Sequence, residues 1–418
     1  MNTNFNLEKF ISTCVTGRET SLLAADFQKY DNELHARIDG RCVLVIGGAG
    51  TIGSFFIKAI LKYPVAKLVV VDINENGLTE LVRDLRSSGG YHIPDDFIPY
   101  PVNFNDTVFE KLFKHHGPFH IVANFAAHKH VRSEKDIFSV EAMIENNVLR
   151  ARKLLDLLLQ SPPEHFFCVS TDKAANPVNI MGASKKLMEE LIMAYADKLP
   201  IKTARFANVA FSNGSLPLGF LERIGKKQPL SCPLGIRRFF VSPQEAGELC
   251  LFASVMGESG DIFFPKLEEE RDMIPFDQIA LALLKTLDLT PDICSSEAEA
   301  ITKAALLQTH SPCLSVSQSA SPSSVYPIYF FGSDTSGEKS FEEFYTETEL
   351  LDNDSFINLG VVKNSKKRTI REIDEIFTSL TNLFSSGNVS KANLVDILKA
   401  YLPNFEHIET GKGLDSKM

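Results

Sequence analysis

From Arg41 onward, short apolar runs alternate with longer amphipathic stretches. Cys42–Ile46 is uniformly apolar and runs into a glycine-rich turn. From about Thr51 the spacing becomes helical, and this helix must stop before Pro64, because the residue preceding a proline is pushed out of the α region. Lys67–Asp72 (KLVVVD) predicts a second buried strand, and Ile121–Phe125 and Phe166–Ser170 predict two more. Amphipathic helices are expected across Glu141–Leu159 and Gly182–Leu199. Strands apolar on both faces, alternating with helices, imply a parallel sheet covered on each side. The expected fold class is therefore α/β with a doubly wound sheet, and binding belongs at the carboxyl ends of its strands.

The pattern differs on either side of this body. Residues 1–39 read as an added helical arm, with Leu22–Ile38 as its helix, docking on the body or on a second subunit. Past Phe211 the alternation loosens, which predicts a smaller domain over 211–360 with some segments returning to the core. Within it, the Ser-rich stretch Gln308–Val325 reads as a flexible, solvated insertion. Residues 361–418 form a tail with two expected helices, Thr369–Phe384 and Lys391–Tyr401. The cationic cluster Lys363, Lys366, Lys367 and Arg368 reads as a solvated run of charge, and no internal repeat is visible.

Composition narrows the function classes. The 418 residues are 44% hydrophobic and 23% charged, an ordinary globular balance that excludes wholesale disorder. A net charge of −10 argues against a general nucleic-acid binder, although a local basic pocket for a phosphate is compatible with it. The seven cysteines are far apart with no C-x-x-C pair, so neither a disulfide framework nor a metal site is expected, and a reducing cytoplasm fits. Cys42–Ile57 lacks charge and approaches membrane-span length, but four glycines break it, so no membrane insertion is expected. The N-terminus lacks the pattern of a signal peptide.

The strongest local signal is Gly47-Gly48-Ala49-Gly50-Thr51-Ile52-Gly53, a G-x-x-G-x-x-G spacing between a strand and a helix. Such residues allow a tight turn, close backbone approach to a pyrophosphate, and helix N-terminal amides facing the anion. Asp72 ends the next strand, 19 residues after Gly53, where a carboxylate accepts hydrogen bonds from an adenine ribose. Residues 40–210 are therefore expected to be a Rossmann-type NAD-binding domain. NAD is preferred over NADP because Asp72 would repel a 2′-phosphate.

Ser170-Thr171-Asp172-Lys173 follows the fourth expected strand and lands at the rim of the sheet. Met181 and Lys185 are four apart on the next helix and so share a face. The string STDKAANPVNIMGASK (Ser170–Lys185) resembles the extended short-chain dehydrogenase/reductases, specifically the nucleotide-sugar 4,6-dehydratases of polysaccharide biosynthesis that act on UDP-N-acetylglucosamine. Further matches are Ala126-Ala127-His128-Lys129-His130, Asn147-Val148, Arg205-Phe206-Ala207-Asn208-Val209, Arg238-Phe239-Phe240 and Gly337-Glu338-Lys339 followed by Glu342-Glu343. The resemblance runs in order from about Arg41 to Glu349.

That resemblance implies oxidation of sugar carbon 4 by NAD, loss of the carbon-5 proton and the carbon-6 hydroxyl as water, and return of hydride to carbon 6. It makes Asp172 the acid at the carbon-6 oxygen, Lys173 the base at carbon 5, Thr171 a partner of the carbon-4 oxygen, and Lys185 the holder of the nicotinamide ribose. Asn103-Phe104 takes the place beside the adenine, with Ala126 and Ala127 along the cofactor. Lys129, His130, Arg205, Asn208 and Arg238 are candidates for the diphosphate or sugar, since ammonium and guanidinium groups suit phosphate oxygens. Arg205 also reads as a domain-interface ion pair.

Free Asp and Lys titrate near ~3.9 and ~10.4, so each needs a large shift for these roles. Burial shifts both the right way, whereas their adjacency favours the charged forms. Met181 stands where short-chain dehydrogenases place a tyrosine, and a thioether cannot abstract a hydroxyl proton; Thr171, Asp172, Lys173 or a water relay must serve. Two alternatives stay open: a nucleotide-sugar 4-epimerase, and a nucleotide-sugar-binding protein without turnover. The expected partners are a UDP-sugar and further copies of the chain.

Overall fold

The structure is a computed structural model, and it describes residues 5–129, 134, 136–309, 324–332, 343–363, 365, 367–386 and 389–407. His130, Lys366, the Gly337-Glu338-Lys339 motif and Glu342 lie outside the described residues, as does the Ser-rich stretch over 310–323.

A nine-stranded sheet forms the centre, in the order Leu351–Asp352, Leu359–Val362, Ile262–Pro265, Ile201–Ala204, His165–Val169, Ile121–Asn124, Cys42–Ile46, Lys67–Asp72 and Asp96–Pro101. All neighbours pair in parallel from Ile262–Pro265 to Asp96–Pro101, and Leu351–Asp352 and Leu359–Val362 add an antiparallel edge. Cys42–Ile46 lies between Lys67–Asp72 and Ile121–Asn124, so the winding reverses there and opens a crevice at the strands' carboxyl ends. The sheet is apolar on both faces because helices cover both: Val43, Leu44, Val45, Leu68, Val69, Val70, Ile121, Val122 and Phe167 are all fully buried.

The helices differ from the expected ones in instructive places. Glu141–Leu159 is not one helix. Ile137–Ile144 and Arg150–Leu158 are joined by a π-helical turn over Glu145–Leu149. The extra residue turns Asn147 inward, where its amide holds the His128 N–H and C=O at 2.8 and 2.9 Å and the Ser184 hydroxyl at 3.1 Å. The helix expected from Gly182 begins at Ile180, because Asn179 caps it through the Gly182 N–H. Both tail helices fall almost where expected, at Ile370–Ser385 and Lys391–Tyr401, the first opened by a Thr369–Glu372 capping box.

Two three-stranded sheets build the smaller lobe. One joins Asn208–Val209, Arg237–Val241 and Met273–Pro275; the other joins Leu230–Pro233, Ser324–Phe331 and Leu289–Cys294. The N-terminal arm splits between lobe and body. Phe10, Ile11 and Val15 enter the lobe core with Phe211, Phe220 and Phe240. Leu23, Leu34 and Ile38 join the main core, and two short helices (Ala24–Lys29, just after Leu23, and Asp31–Ile38) stand in place of one. Asp26, on the first of these helices, is fully buried, and its carboxylate accepts the Ile357 and Asn358 N–H groups at 2.7 and 2.8 Å.

The helix Thr51–Ile60, which follows the glycine turn, is backed by the largely buried helix Pro243–Met256. They cross at Gly247, where an added Cβ would meet the Phe55 carbonyl carbon at 2.3 Å. Gly247→Ala is expected to destabilise the fold by about 1–3 kcal/mol through overpacking and to weaken dinucleotide binding by tilting Thr51–Ile60; urea unfolding and fluorescence titration with NADH check both.

Candidate active site

At the reversal of the winding, two cavities of about 230 Å³ each open on either side of Phe125 and Ala127, which line both. The first is walled by Gly47, Gly50, Asp72, Asn103, Phe104, Ala126 and His128. The second is walled by Ile52, Lys129, Thr171, Asp172, Lys173, Met181, Lys185 and Asn208.

The glycine turn explains itself in steps. Gly47 has φ +79°, and an added Cβ would sit 2.6 Å from the Ala126 nitrogen, so backbone sterics demand glycine. At Gly53 a Cβ would strike the Gly47 carbonyl oxygen at 2.3 Å, which would separate helix from strand. Gly50 is different: it has an ordinary φ of −72°, and a Cβ there would meet only the Gly47 oxygen, at 3.5 Å. The chain itself does not need a glycine at 50, but a Cβ would fill the cradle in front of the helix N-terminus, where a pyrophosphate fits. Asp72 sits across this cradle with one carboxylate oxygen accepting the Ala49 N–H and the other the Asn74 N–H, both at 2.9 Å. Thr51 points elsewhere, its hydroxyl accepting the Asn213 N–H at 3.0 Å. These residues fit a dinucleotide.

In the second cavity the strand His165–Val169 ends and delivers Thr171, Asp172 and Lys173 in a single tight turn. Asp172 Oδ1 accepts the Thr171 hydroxyl at 2.7 Å, the Lys173 N–H at 2.9 Å and the Lys173 ammonium at 3.0 Å. Asp172 is 3% exposed, so this ion pair is shielded on the carboxylate side. Lys185 is buried behind it, donating to the Val169 carbonyl at 2.9 Å, and burial pushes its ammonium below the ordinary lysine range. Met181 is buried on the same helix face and borders the cavity. Gly182 abuts Lys173, since a Cβ would sit 2.6 Å from the Lys173 carbonyl oxygen. Lys129 sits in the concavity of the wall, and desolvation lowers its pKa.

Of the five candidates for substrate contact, Lys129 and Asn208 reach the cavity. Asn208 also donates to the Phe239 carbonyl at 3.4 Å. Arg238 is buried outside the cavity wall, one nitrogen donating to the Arg237 carbonyl at 2.8 Å. Arg205 is corrected outright: it is fully buried, forked onto Glu189 and Glu349 at 2.8–2.9 Å, and cannot meet a ligand. Two carboxylates already saturate its guanidinium, which is the interface role the sequence also allowed.

The sequence reading missed the opposite wall, Ser212-Asn213-Gly214-Ser215. The signal was present: Ser215 caps the helix Leu216–Gly225, with Pro217 in its first turn. Ser212 is 8% exposed and faces the cavity.

A model of the polysaccharide biosynthesis protein family matches residues 43–305. The chain belongs to that family. The EpsC probable polysaccharide biosynthesis protein of Bacillus subtilis is 31% identical over 56% of this chain and 39% of its own length. The CapD capsular polysaccharide biosynthesis protein of Staphylococcus aureus is 29% identical over 58% of this chain and 41% of its own. The chain thus spans well under half of either relative. The solved structure of Pen from Bacillus thuringiensis has a TM-score of 0.61 at 18% identity, covering 79% of this chain and 90% of that one. The fold is accordingly the extended short-chain dehydrogenase/reductase fold of this polysaccharide biosynthesis family. The strands Leu351–Asp352 and Leu359–Val362 and the whole tail lie beyond the family match. Among the described residues, no helix is long and apolar enough to cross a membrane, and no cluster of side chains suits a metal ion.

Three outcomes are expected. Gly50→Val leaves the fold intact and weakens NADH binding by ~10-fold or more, because only the ligand loses space; the titration and a thermal melt together read this. Arg205→Ala destabilises the protein by about 3–5 kcal/mol by stranding two carboxylates. Burial would raise Glu189, but Arg205, with Lys186 and Ser170, holds it down at about 2 from 4.5. A carboxyl depressed on folding stabilises above its unfolded pKa, so this contribution is complete above pH 4.5 and is lost as pH falls towards 2. Acid unfolding of wild type should be steeper over that window than that of Arg205→Ala.

Proposed function

We propose that this protein is an NAD-dependent nucleotide-sugar 4,6-dehydratase acting on UDP-N-acetylglucosamine, with or without epimerisation at carbon 5. The observation that carries the reading is the Thr171–Asp172–Lys173 hydrogen-bonded set at the cavity mouth with Lys185 buried behind it. A protein that only bound a nucleotide sugar would need no shielded acid–base pair.

In this reading residues 40–210 hold the dinucleotide and 211–360 close over the nucleotide sugar. Gly47, Gly50 and the amides of Thr51 and Ile52 receive the pyrophosphate, Asp72 the adenine ribose, Asn103 and Phe104 the adenine side, Ala126 and Ala127 the middle, and Lys185 the nicotinamide ribose. Bound there, NAD supplies a reversible hydride acceptor. Ser212, Asn213 and the N-terminal end of Leu216–Gly225 face the sugar nucleotide with Lys129 and Asn208.

Met181 cannot take the carbon-4 hydroxyl proton, and the geometry offers a substitute. The Thr171 hydroxyl already donates to Asp172 at 2.7 Å, so it can accept the substrate proton and pass its own to Asp172. Carrying that proton removes the negative charge that held Lys173 as an ammonium, so Lys173 releases one proton to solvent; its neutral amine then removes the proton at carbon 5 and returns it there when hydride comes back to carbon 6. Asp172 then protonates the departing carbon-6 hydroxyl, which leaves as water. The same pair thus moves one proton through oxidation and elimination, and adjacency, which favours two charges at rest, becomes the coupling between the steps.

Incubation with UDP-N-acetylglucosamine and NAD should give a product lighter by one water in a mass spectrum. Asp172→Asn and Lys173→Ala should each slow this by ~10²-fold or more. An unchanged mass with a carbon-4 epimer would replace the dehydratase by an epimerase. Tight binding without product, restored to turnover by Met181→Tyr, would mark the relay as inadequate.

A further inference from the structure

The tail beyond residue 365 lies outside the family match, yet its last described residues reach the helix that carries Met181 and Lys185. Asn179 caps that helix through the Gly182 N–H, which leaves the Met181 N–H to be satisfied. Glu134 takes it, with Oε1 accepting at 2.9 Å. A carboxylate in this place also complements the positive end of the helix. The other oxygen of Glu134 lies 3.6 Å from His407 Nε2, and both side chains are only 9% exposed.

His407 is delivered by a helical hairpin with its own anchorage. On Ile370–Ser385, Asp374 pairs with Arg152 at 2.5 Å, and the Arg152 guanidinium lies over the Phe377 ring. Arg368 forks between Glu190, on the Met181 helix, and the Tyr401 carbonyl. Past Lys391–Tyr401, Leu402 and Phe405 are buried in the main core, and the Glu406 N–H approaches the Pro177 carbonyl at 3.4 Å. Two of these contacts, Glu406 with Pro177 and His407 through Glu134 with Met181, fall on residues 174–181, which connect Lys173 to Met181, and Gly182 packs directly on the Lys173 backbone. A shift at Met181 is therefore transmitted to Lys173 on one side and Lys185 on the other.

We propose that the C-terminal tail is part of the catalytic apparatus, with His407 a positioning residue that acts through Glu134 on the start of the Met181–Lys185 helix. Its effect on turnover rests on the dehydratase reading; its effect on the helix start does not. Displacement of a reacting group by ~1 Å is enough to cost up to ~10²-fold in rate, so a small local loosening is visible in kcat.

The test is hydrogen–deuterium exchange over 174–185 in the full-length chain, for wild type, His407→Ala, His407→Gln and Glu134→Gln, with melting temperatures and steady-state kinetics on UDP-N-acetylglucosamine. His407→Ala should speed exchange at the helix start by about 10-fold with little change in melting temperature. It should lower kcat by about 5- to 10-fold while KM stays within about twofold, and His407→Gln, which keeps a donor, should restore both. If His407→Ala does not fold, Glu134→Gln, which removes the charge facing His407, must show the faster exchange. Unaltered exchange in both variants overturns the proposal, and so does faster exchange that His407→Gln fails to correct. If no nucleotide sugar is turned over, the exchange result still decides this proposal, and it is the dehydratase reading that falls.

Discussion

Glu189 is the charge on which the geometry of the candidate site depends. It is buried on the Met181 helix, accepts the Ser170 hydroxyl at 2.5 Å, and holds the Arg205 fork, whose other edge reaches Glu349. Three parts of the chain are thereby locked together: the end of the strand that delivers Thr171–Lys173, the helix that delivers Lys185, and a segment far along the sequence near the antiparallel edge. Such a network stabilises little against a hydrophobic replacement, but removing any member strands a charge in the core. Its value is registry: the strand end and the helix cannot slide against each other without breaking a buried ion pair.

The chemistry exploits the opposite situation a few ångströms away. Asp172 and Lys173 are neighbours in sequence, so their pairing requires no tertiary help, and three donors converge on one carboxylate oxygen. In the proposed dehydratase reading, this acid and base neutralise each other at rest and become useful only when a substrate proton changes the balance. The Lys173 side chain is 21% exposed and that of Asp172 only 2%, which makes the lysine the partner freer to move.

The additions at both ends are not ornaments on a Rossmann body. Arg18 in the arm pairs with Glu245 at 2.8 Å and Asp272 at 3.2 Å and donates to the Phe240 carbonyl at 2.9 Å, so it ties the lobe's central strand to the helix behind the glycine turn. Asp26 does the same for the returning segment at Ile357 and Asn358. At the other end the tail reaches Glu134 and the Met181 amide. Each case uses one fully committed charged side chain to fix two distant segments, which is how short terminal extensions acquire leverage.

How far the sequence carried the reading follows from the range of the forces involved. Local rules reached the strands Cys42–Ile46 and Lys67–Asp72, the tail helix Lys391–Tyr401, the glycine turn and the Thr171–Lys173 set, because periodicity, turn sterics and adjacency are written in neighbouring residues. The split of Glu141–Leu159 was not legible, since the π turn exists to aim Asn147 at His128 and Ser184 across the fold. Arg205 looked like a phosphate ligand because an arginine in a motif carries no mark of its partners; only Glu189 and Glu349, sixteen residues before it and 144 after it, decide that it is sealed in the core. By itself, then, the sequence determined the parallel α/β body, the glycine turn and the chemical groups at the strand end. Tertiary structure alone decided which charges face the cavity and which are spent on each other, because burial and long-range pairing depend on distances that no local pattern encodes.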